Sequence, residues 1–167
     1  LLHPAGEAPD PLLADLPLEP TAFDLPAPLR GFPLGQKVFA AARAEELTAE
    51  GTLVWLDPDA LFLCAPDCFR LPPGCSLAAC PVHLKNISTP AAEAPDAYWQ
   101  RVFALAGADP QAAFPLATRV DGLAIRAHFN AGCLAVRPAA GILSAWREAF
   151  LRAAADPSLA DLSAEAP

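Results

Sequence analysis

Asp57 and Asp59 stand one residue apart, on either side of Pro58 and directly after the apolar run from Thr52 to Leu56. Two carboxylates at the end of a strand can share a hard divalent cation such as Mg²⁺ or Mn²⁺, whose preference for oxygen leaves coordination positions for phosphate. In that role neither acid has to donate or accept a proton, because the cation stabilises developing phosphate charge electrostatically. The competing reading of the same triplet is a solvated turn, which Asp and Pro also favour.

Other residues supply complementary chemistry. Lys37, His83 and Lys85 can bring positive charge to a diphosphate in an otherwise acidic chain, against the alternative of solvated side chains. His83 and His128 are candidate ligands for a metal site begun by carboxylates, with His3 a weaker one. The stretch Asn130, Ala131 and Gly132 pairs an amide that both donates and accepts with a glycine that permits close backbone approach, so it can read hydroxyl groups. It reads equally as a turn entering a strand. Trp55, Trp99 and Trp146 fall at packing positions and are assigned to the core.

The elements that must position these groups follow from periodicity. Residues 35 to 50 form an amphipathic helix with Val38, Phe39, Ala41, Ala42 and Leu47 on one side, stopped at Gly51. Residues 52 to 56 suit a central strand that delivers Asp57 and Asp59 at its C-terminal end, where open α/β sheets bind ligands. Further strands are predicted over 60 to 64 and 76 to 83, and over 123 to 127 and 133 to 137 with His128 to Gly132 between the last two. Helices are predicted over 95 to 105 and 139 to 155. Alternation of strands and helices gives an α/β sandwich, and no 20 to 50 residue period repeats.

Composition bounds the function. The 167 residues and 54% hydrophobic content suffice for one domain with a buried core. A net charge of −8 argues against nucleic acid as a partner, since non-specific affinity for it comes from Lys and Arg. A cation can still bridge the acidic chain to a nucleotide. The longest apolar runs, such as Ala60 to Ala65, fall far short of the roughly 20 residues that span a bilayer, so no transmembrane segment is expected. Cys64, Cys68, Cys75, Cys80 and Cys133 contain no CxxC pair and read as buried thiols in a reducing cytosol, which places the protein in the cytoplasm. Zinc held by the first four is the alternative. The chain has no methionine and opens without a secretory pattern, which suggests a fragment or processed form.

A family resemblance rests on four segments. "LVWLDPDALFL" at residues 53 to 63 resembles the strand, acidic turn and following strand of nucleotide-diphospho-sugar transferases. "HFNAGCLAVRP" at 128 to 138 resembles the Phe-Asn-Ala-Gly stretch of glycosyltransferases related to glycogenin and the bacterial galactosyltransferases. "FPLGQKVFAAARAEE" at 32 to 46 and "PVHLKNI" at 81 to 87 are similar to a prokaryotic branch of that superfamily. Together they cover about residues 32 to 151.

The resemblance implies a GT-A-like, Rossmann-like mixed and mostly parallel sheet flanked by helices. It implies a metal-dependent glycosyltransferase that takes a nucleotide-sugar donor and an unspecified acceptor. Asp57 and Asp59 would hold Mn²⁺ or Mg²⁺; Lys37, His83, Lys85, Asn130, Ala131 and Gly132 would contact substrate. The expected organisation is an irregular Pro-rich segment over 1–30, a partial GT-A-like domain over 31–155 and a tail over 156–167. Two departures bear on completeness: residues 1 to 30 show no early strand for a nucleoside pocket, and the later metal-binding histidine motif has no counterpart before Pro167. The alternatives are a haloacid dehalogenase-like phosphatase with Asp57 as nucleophile and Asp59 as general acid, and a degenerate, non-catalytic sugar-nucleotide-binding domain.

Overall fold

A computed structural model describes residues 1–13, 15–32, 34–57 and 59–159. The chain begins with two three-residue strands, β1 (Leu2–Pro4) and β2 (Thr21–Phe23), paired in parallel with Leu2 opposite Thr21 and Pro4 opposite Phe23. This corrects the expectation that residues 1 to 30 lack strands. Strands of three residues are too short to show a period of two; Phe23 and the neighbouring Leu25 hold them by burying against Phe39 and Ala40.

Helix α1 (Gly35–Leu47) buries Val38, Phe39, Ala41 and Ala42 as the sequence pattern predicts, and Ala40 with them, but Leu47 at its end is exposed rather than on the packed side. Its start is fixed sterically, because a Cβ on Gly35 would come within 3.0 Å of the Leu29 carbonyl oxygen. The helix ends three residues before the expected Glu50. Thr48 is already extended, and its hydroxyl donates back to the Ala44 carbonyl at 2.7 Å.

Strands β3 (Leu53–Leu56) and β4 (Leu77–Pro81) flank the long strand β7 (Phe129–Val136) in a three-stranded sheet of order β3-β7-β4. Between them in sequence lie helix α2 (Ala97–Ala106) and the antiparallel hairpin of β5 (Pro115–Ala117) and β6 (Ala124–Arg126). Helix α3 (Ile142–Ala154) closes the architecture and packs on both α1 and α2.

The sheets are mixed, but the expectation of a mostly parallel sheet is corrected. β7 runs antiparallel to both neighbours, with Leu56 opposite Cys133 on one side and Cys80 opposite Asn130 on the other. β3 and β4 therefore point the same way without pairing, and their C-terminal ends open beside the first half of β7. Among the described residues only β1 and β2 pair in parallel.

Two strand boundaries also differ. Residues 60 to 64 form no strand: Leu61 and Leu63 are 81% and 89% exposed, no neighbouring strand pairs with them, and Phe62 packs edge-on against Phe69. Apolar, β-favouring composition does not make a strand without a partner ladder. Residues 129 to 132, expected as a link, join β7 because β4 extends along them, with a register shift between Ala79 and Cys80.

The core sits between β7 and the two helices α1 and α3, where Ala41, Leu134, Val136 and Leu143 are buried with Trp55 and Trp146 against them. Gly141, the residue before α3, offers no side-chain cap. The buried Glu45 of α1 supplies one instead, accepting the N–H groups of Leu143 at 3.0 Å and Ser144 at 2.8 Å. A carboxylate at a helix N-terminus satisfies otherwise orphaned donors and complements the helix dipole. Those two bonds tie α1 to α3.

Asp156, where the tail was expected to begin, is held by Arg101 of α2 and accepts from Ser158 and Leu159, so this part of the tail is anchored. Residues 160–167 lie outside the described residues. Among the described residues no helix is long and apolar enough to cross a membrane.

Candidate functional site

β3 carries Asp57 to the sheet edge, and the pairing continues one residue past the strand as the Asp57 N–H donates to the Gly132 carbonyl at 2.9 Å. The carboxylate turns toward the start of α1. The Lys37 ammonium lies 2.7 Å from Oδ2 and 2.7 Å from Oδ1, and the Trp55 indole N–H donates to Oδ1 at 3.0 Å. Trp55 and Asp57 are two apart in an extended segment, which places both side chains on one side of it. Burial pushes the Asp57 carboxyl up, but the bonds from Lys37 and Trp55 outweigh it and hold the group below its ordinary 3.8. Asp57 is thus an anion at neutral pH, largely compensated by one cation.

Gly132 lies close to the side chains of Asp57 and Asn130. A Cβ there would sit 3.1 Å from Asp57 Oδ2 and 3.1 Å from Asn130 Oδ1, tight enough to displace one of them. Asn130 Oδ1 accepts the Gly132 N–H at 2.7 Å. Asp57, Asn130 and Gly132 therefore form a small oxygen-rich cradle. Beside it, Arg30, Phe32, Leu34, Lys37, Trp55 and Asp57 line an open cleft of 470 Å³.

The sequence-predicted residues divide between this cradle and other places. Lys37, Asp57, Asn130 and Gly132 come together. Asp59 is exposed beyond Pro58, which lies outside the described residues. Ala131 turns the other way and packs against the buried cluster of Leu134, Val136 and Leu143. His83 and Lys85 belong to the loop after β4, where the His83 carbonyl accepts the Val120 N–H and the Lys85 N–H donates to Asp121 Oδ2, both at 2.8 Å. Lys85 lines a separate cleft of 330 Å³ together with Ser88, Thr89, Glu93, Tyr98 and Trp99.

His128 meets the Ser88 hydroxyl through Nδ1 and the edge of Trp99, and burial lowers its pKa below the ordinary 6.5. Its ring is uncharged at neutral pH. The imidazole of His3 contacts the Pro4 carbonyl beside it. Cys64, Cys75 and Cys80 are exposed free thiols, which corrects the expectation of buried ones, and no group of three or more His, Cys, Asp or Glu suited to a metal occurs among the described residues; the Cys68 side chain lies outside that description.

Two residues escaped the sequence reading. Trp55, assigned to packing, also holds Asp57, and its spacing of two from an acid on a strand was the available signal. Arg30, at the end of the Pro-rich segment, lines the cleft while pairing with Glu7 at 3.3 Å; nothing local in the sequence pointed to it.

Comparison with known proteins bears on this arrangement. A family model described as a Rhodobacterales glycosyltransferase domain matches residues 6–165. Neither a curated protein nor a solved structure matches the chain. The match takes in α1, β3 with Asp57, and β7 with Asn130 and Gly132, together with nearly everything that supports them. The chain belongs to the Rhodobacterales glycosyltransferase domain family.

Proposed function

We propose that the Asp57 cradle binds the diphosphate of a nucleotide-sugar donor through Mn²⁺ or Mg²⁺, and that the domain transfers the sugar to an acceptor hydroxyl. The observation that carries this reading is the gathering of Asp57, Asn130, Gly132 and Lys37 at one sheet edge beside a cleft of 470 Å³. Membership in a glycosyltransferase family favours sugar transfer over the phosphatase alternative.

The residues present fit such a cation. Their donors are hard oxygens, and Mg²⁺ in particular is commonly held by one or two carboxylates with phosphate and water completing the shell. The cradle would be filled by a Cβ at Gly132, and a positive group, the Lys37 ammonium, already rests on both oxygens of Asp57. Asp57 would be the principal ligand, with Asp59 following it in sequence as the second. A bound cation would supply charge stabilisation to the departing diphosphate.

The chain's own residues do the positioning. Trp55 holds the Asp57 carboxylate in one orientation. Gly132 lets a donor approach the backbone of β7, and the Asn130 amide is placed to bond a sugar or ribose hydroxyl. Arg30 and Lys37 on the cleft wall favour an anionic ligand despite the negative chain. The free thiols at Cys64, Cys75 and Cys80 support a reducing compartment, hence a cytoplasmic location.

Calorimetric titration of the full chain with UDP and with GDP, each with Mn²⁺, tests the reading. We expect binding to one of them that is lost on adding a chelator and in Asp59→Ala. Binding of equal strength in the chelated sample would refute the metal-bridged donor.

A further inference from the structure

Resting on that reading of the site, we propose that Lys37 is an internal counter-cation, which occupies Asp57 before loading and passes to the donor's phosphates when the divalent cation arrives. Three observations carry this. The ammonium contacts both carboxylate oxygens at 2.7 Å, so it competes for both with a cation that approaches from the cleft. The lysine side chain is only 14% exposed and that of Asp57 31%, so the pair is held in the fold rather than loosely solvated. Lys37 also lines the same cleft as Asp57, which gives its flexible stem room to turn toward a ligand there.

An ammonium and a divalent ion cannot share one carboxylate at contact distance without strong repulsion. The half-buried ammonium, once displaced, needs another anion, and a diphosphate in the cleft supplies one. Cation and donor therefore enter together: the cation alone faces competition from Lys37, and the donor alone meets a carboxylate. This coupling makes productive loading depend on both.

The test is a Mn²⁺ titration of the full chain without nucleotide, reading free Mn²⁺ by electron paramagnetic resonance, in wild type, Lys37→Gln, Lys37→Arg and Asp57→Asn. Lys37→Gln is expected to bind Mn²⁺ on the order of tenfold more tightly, the scale of removing one opposing ion pair. It should then bind UDP more weakly at saturating Mn²⁺. Lys37→Arg, which keeps the charge, should return Mn²⁺ affinity toward wild type, an effect that a purely structural lysine would not show. Should Lys37→Gln fail to fold, Lys37→Met fills the same space and serves in its place.

Mn²⁺ affinity in Lys37→Gln equal to or below wild type overturns the exchange; if wild-type binding is nonetheless lost in Asp57→Asn, the metal site itself stands. No Mn²⁺ binding by either protein overturns both.

Discussion

A short stretch of chain entering β7 borders two regions: Gly132, within the strand, belongs to the Asp57 cradle, while His128, just before it, faces Ser88 and Trp99. Four residues of extended chain separate them, at most about 14 Å. The two regions are built on opposite principles. The Asp57 cradle stands on regular elements, the ends of β3 and α1 against β7, with charge matched by charge and a glycine where an added methyl group would crowd two side-chain oxygens. The second cleft is made by the loop after β4 and the start of α2, where the Asp96 carboxylate caps the helix at the Trp99 N–H and Tyr98 and Trp99 stand beside Lys85, Ser88, Thr89 and Glu93. Sites on rigid elements hold geometry for chemistry more closely than sites built on loops.

The largest break in that comparison should come from Asp57→Asn. It removes the principal anion and leaves Lys37 half-buried without its partner, so nucleotide binding in the presence of Mn²⁺ should fall by roughly 100-fold and stability by about 1–3 kcal/mol. Titration calorimetry and urea unfolding read the two effects.

Next comes Gly132→Ala, where a methyl group 3.1 Å from two oxygens must push one aside. A stability cost of about 1–3 kcal/mol is expected from overpacking, with weakened donor binding. Wild-type binding in this variant would show that the cradle is looser than its contacts imply.

Glu45→Gln separates scaffold from site. It weakens the charged cap on α3 by about 1 kcal/mol, lowering the melting temperature while leaving the ligands of the cradle untouched. Trp99→Phe sharpens the contrast from the other side: its indole N–H no longer reaches the Ile87 carbonyl, yet Mn²⁺-dependent nucleotide binding should stay within about twofold of wild type. A larger loss would join the two clefts into one site.

The smallest effect is a pH dependence. Burial lowers the His128 pKa in the folded protein, so the unfolded chain takes up a proton that the folded one refuses. Its contribution is full above about 6.5, declines as pH falls through that value, and levels off below the folded pKa. Unfolding midpoints at successive pH values should show this slope, and His128→Gln should flatten it.

How much the sequence revealed depended on range. α1 and β3 were legible because each carries a local signal, an apolar side and a β-favouring run, and the helix predicted over 95 to 105 is found as α2, whose acidic cap at Asp96 the sequence reading did not use. β7 was legible only in part, since Phe129 to Gly132 owe their extension to pairing with β4 far away in sequence. Residues 60 to 64 failed in the reverse sense, carrying strand composition without a partner. Within the site, Asp57 and Asn130 to Gly132 stood out by local pattern, whereas the ion pair of Lys37 with Asp57 joins two elements and no local spacing encodes it. His83 and Lys85 were grouped with the acids by charge alone; the fold places Lys85 at the other cleft and leaves His83 in the loop after β4, its carbonyl bonded to Val120.

One measurement bears most directly on the central claim that Asp57 grips a donor's phosphates through a cation. Crystals soaked with Mn²⁺ and a bound nucleoside diphosphate, recorded at a wavelength where manganese scatters anomalously, locate the ion without reference to activity. The account predicts a manganese peak in coordination contact with the Asp57 carboxylate, and Lys37 turned toward phosphate. A nucleotide seated with its manganese at the Trp99 cleft, or seated in the cradle with Lys37 still on Asp57 and no ion between, would contradict it.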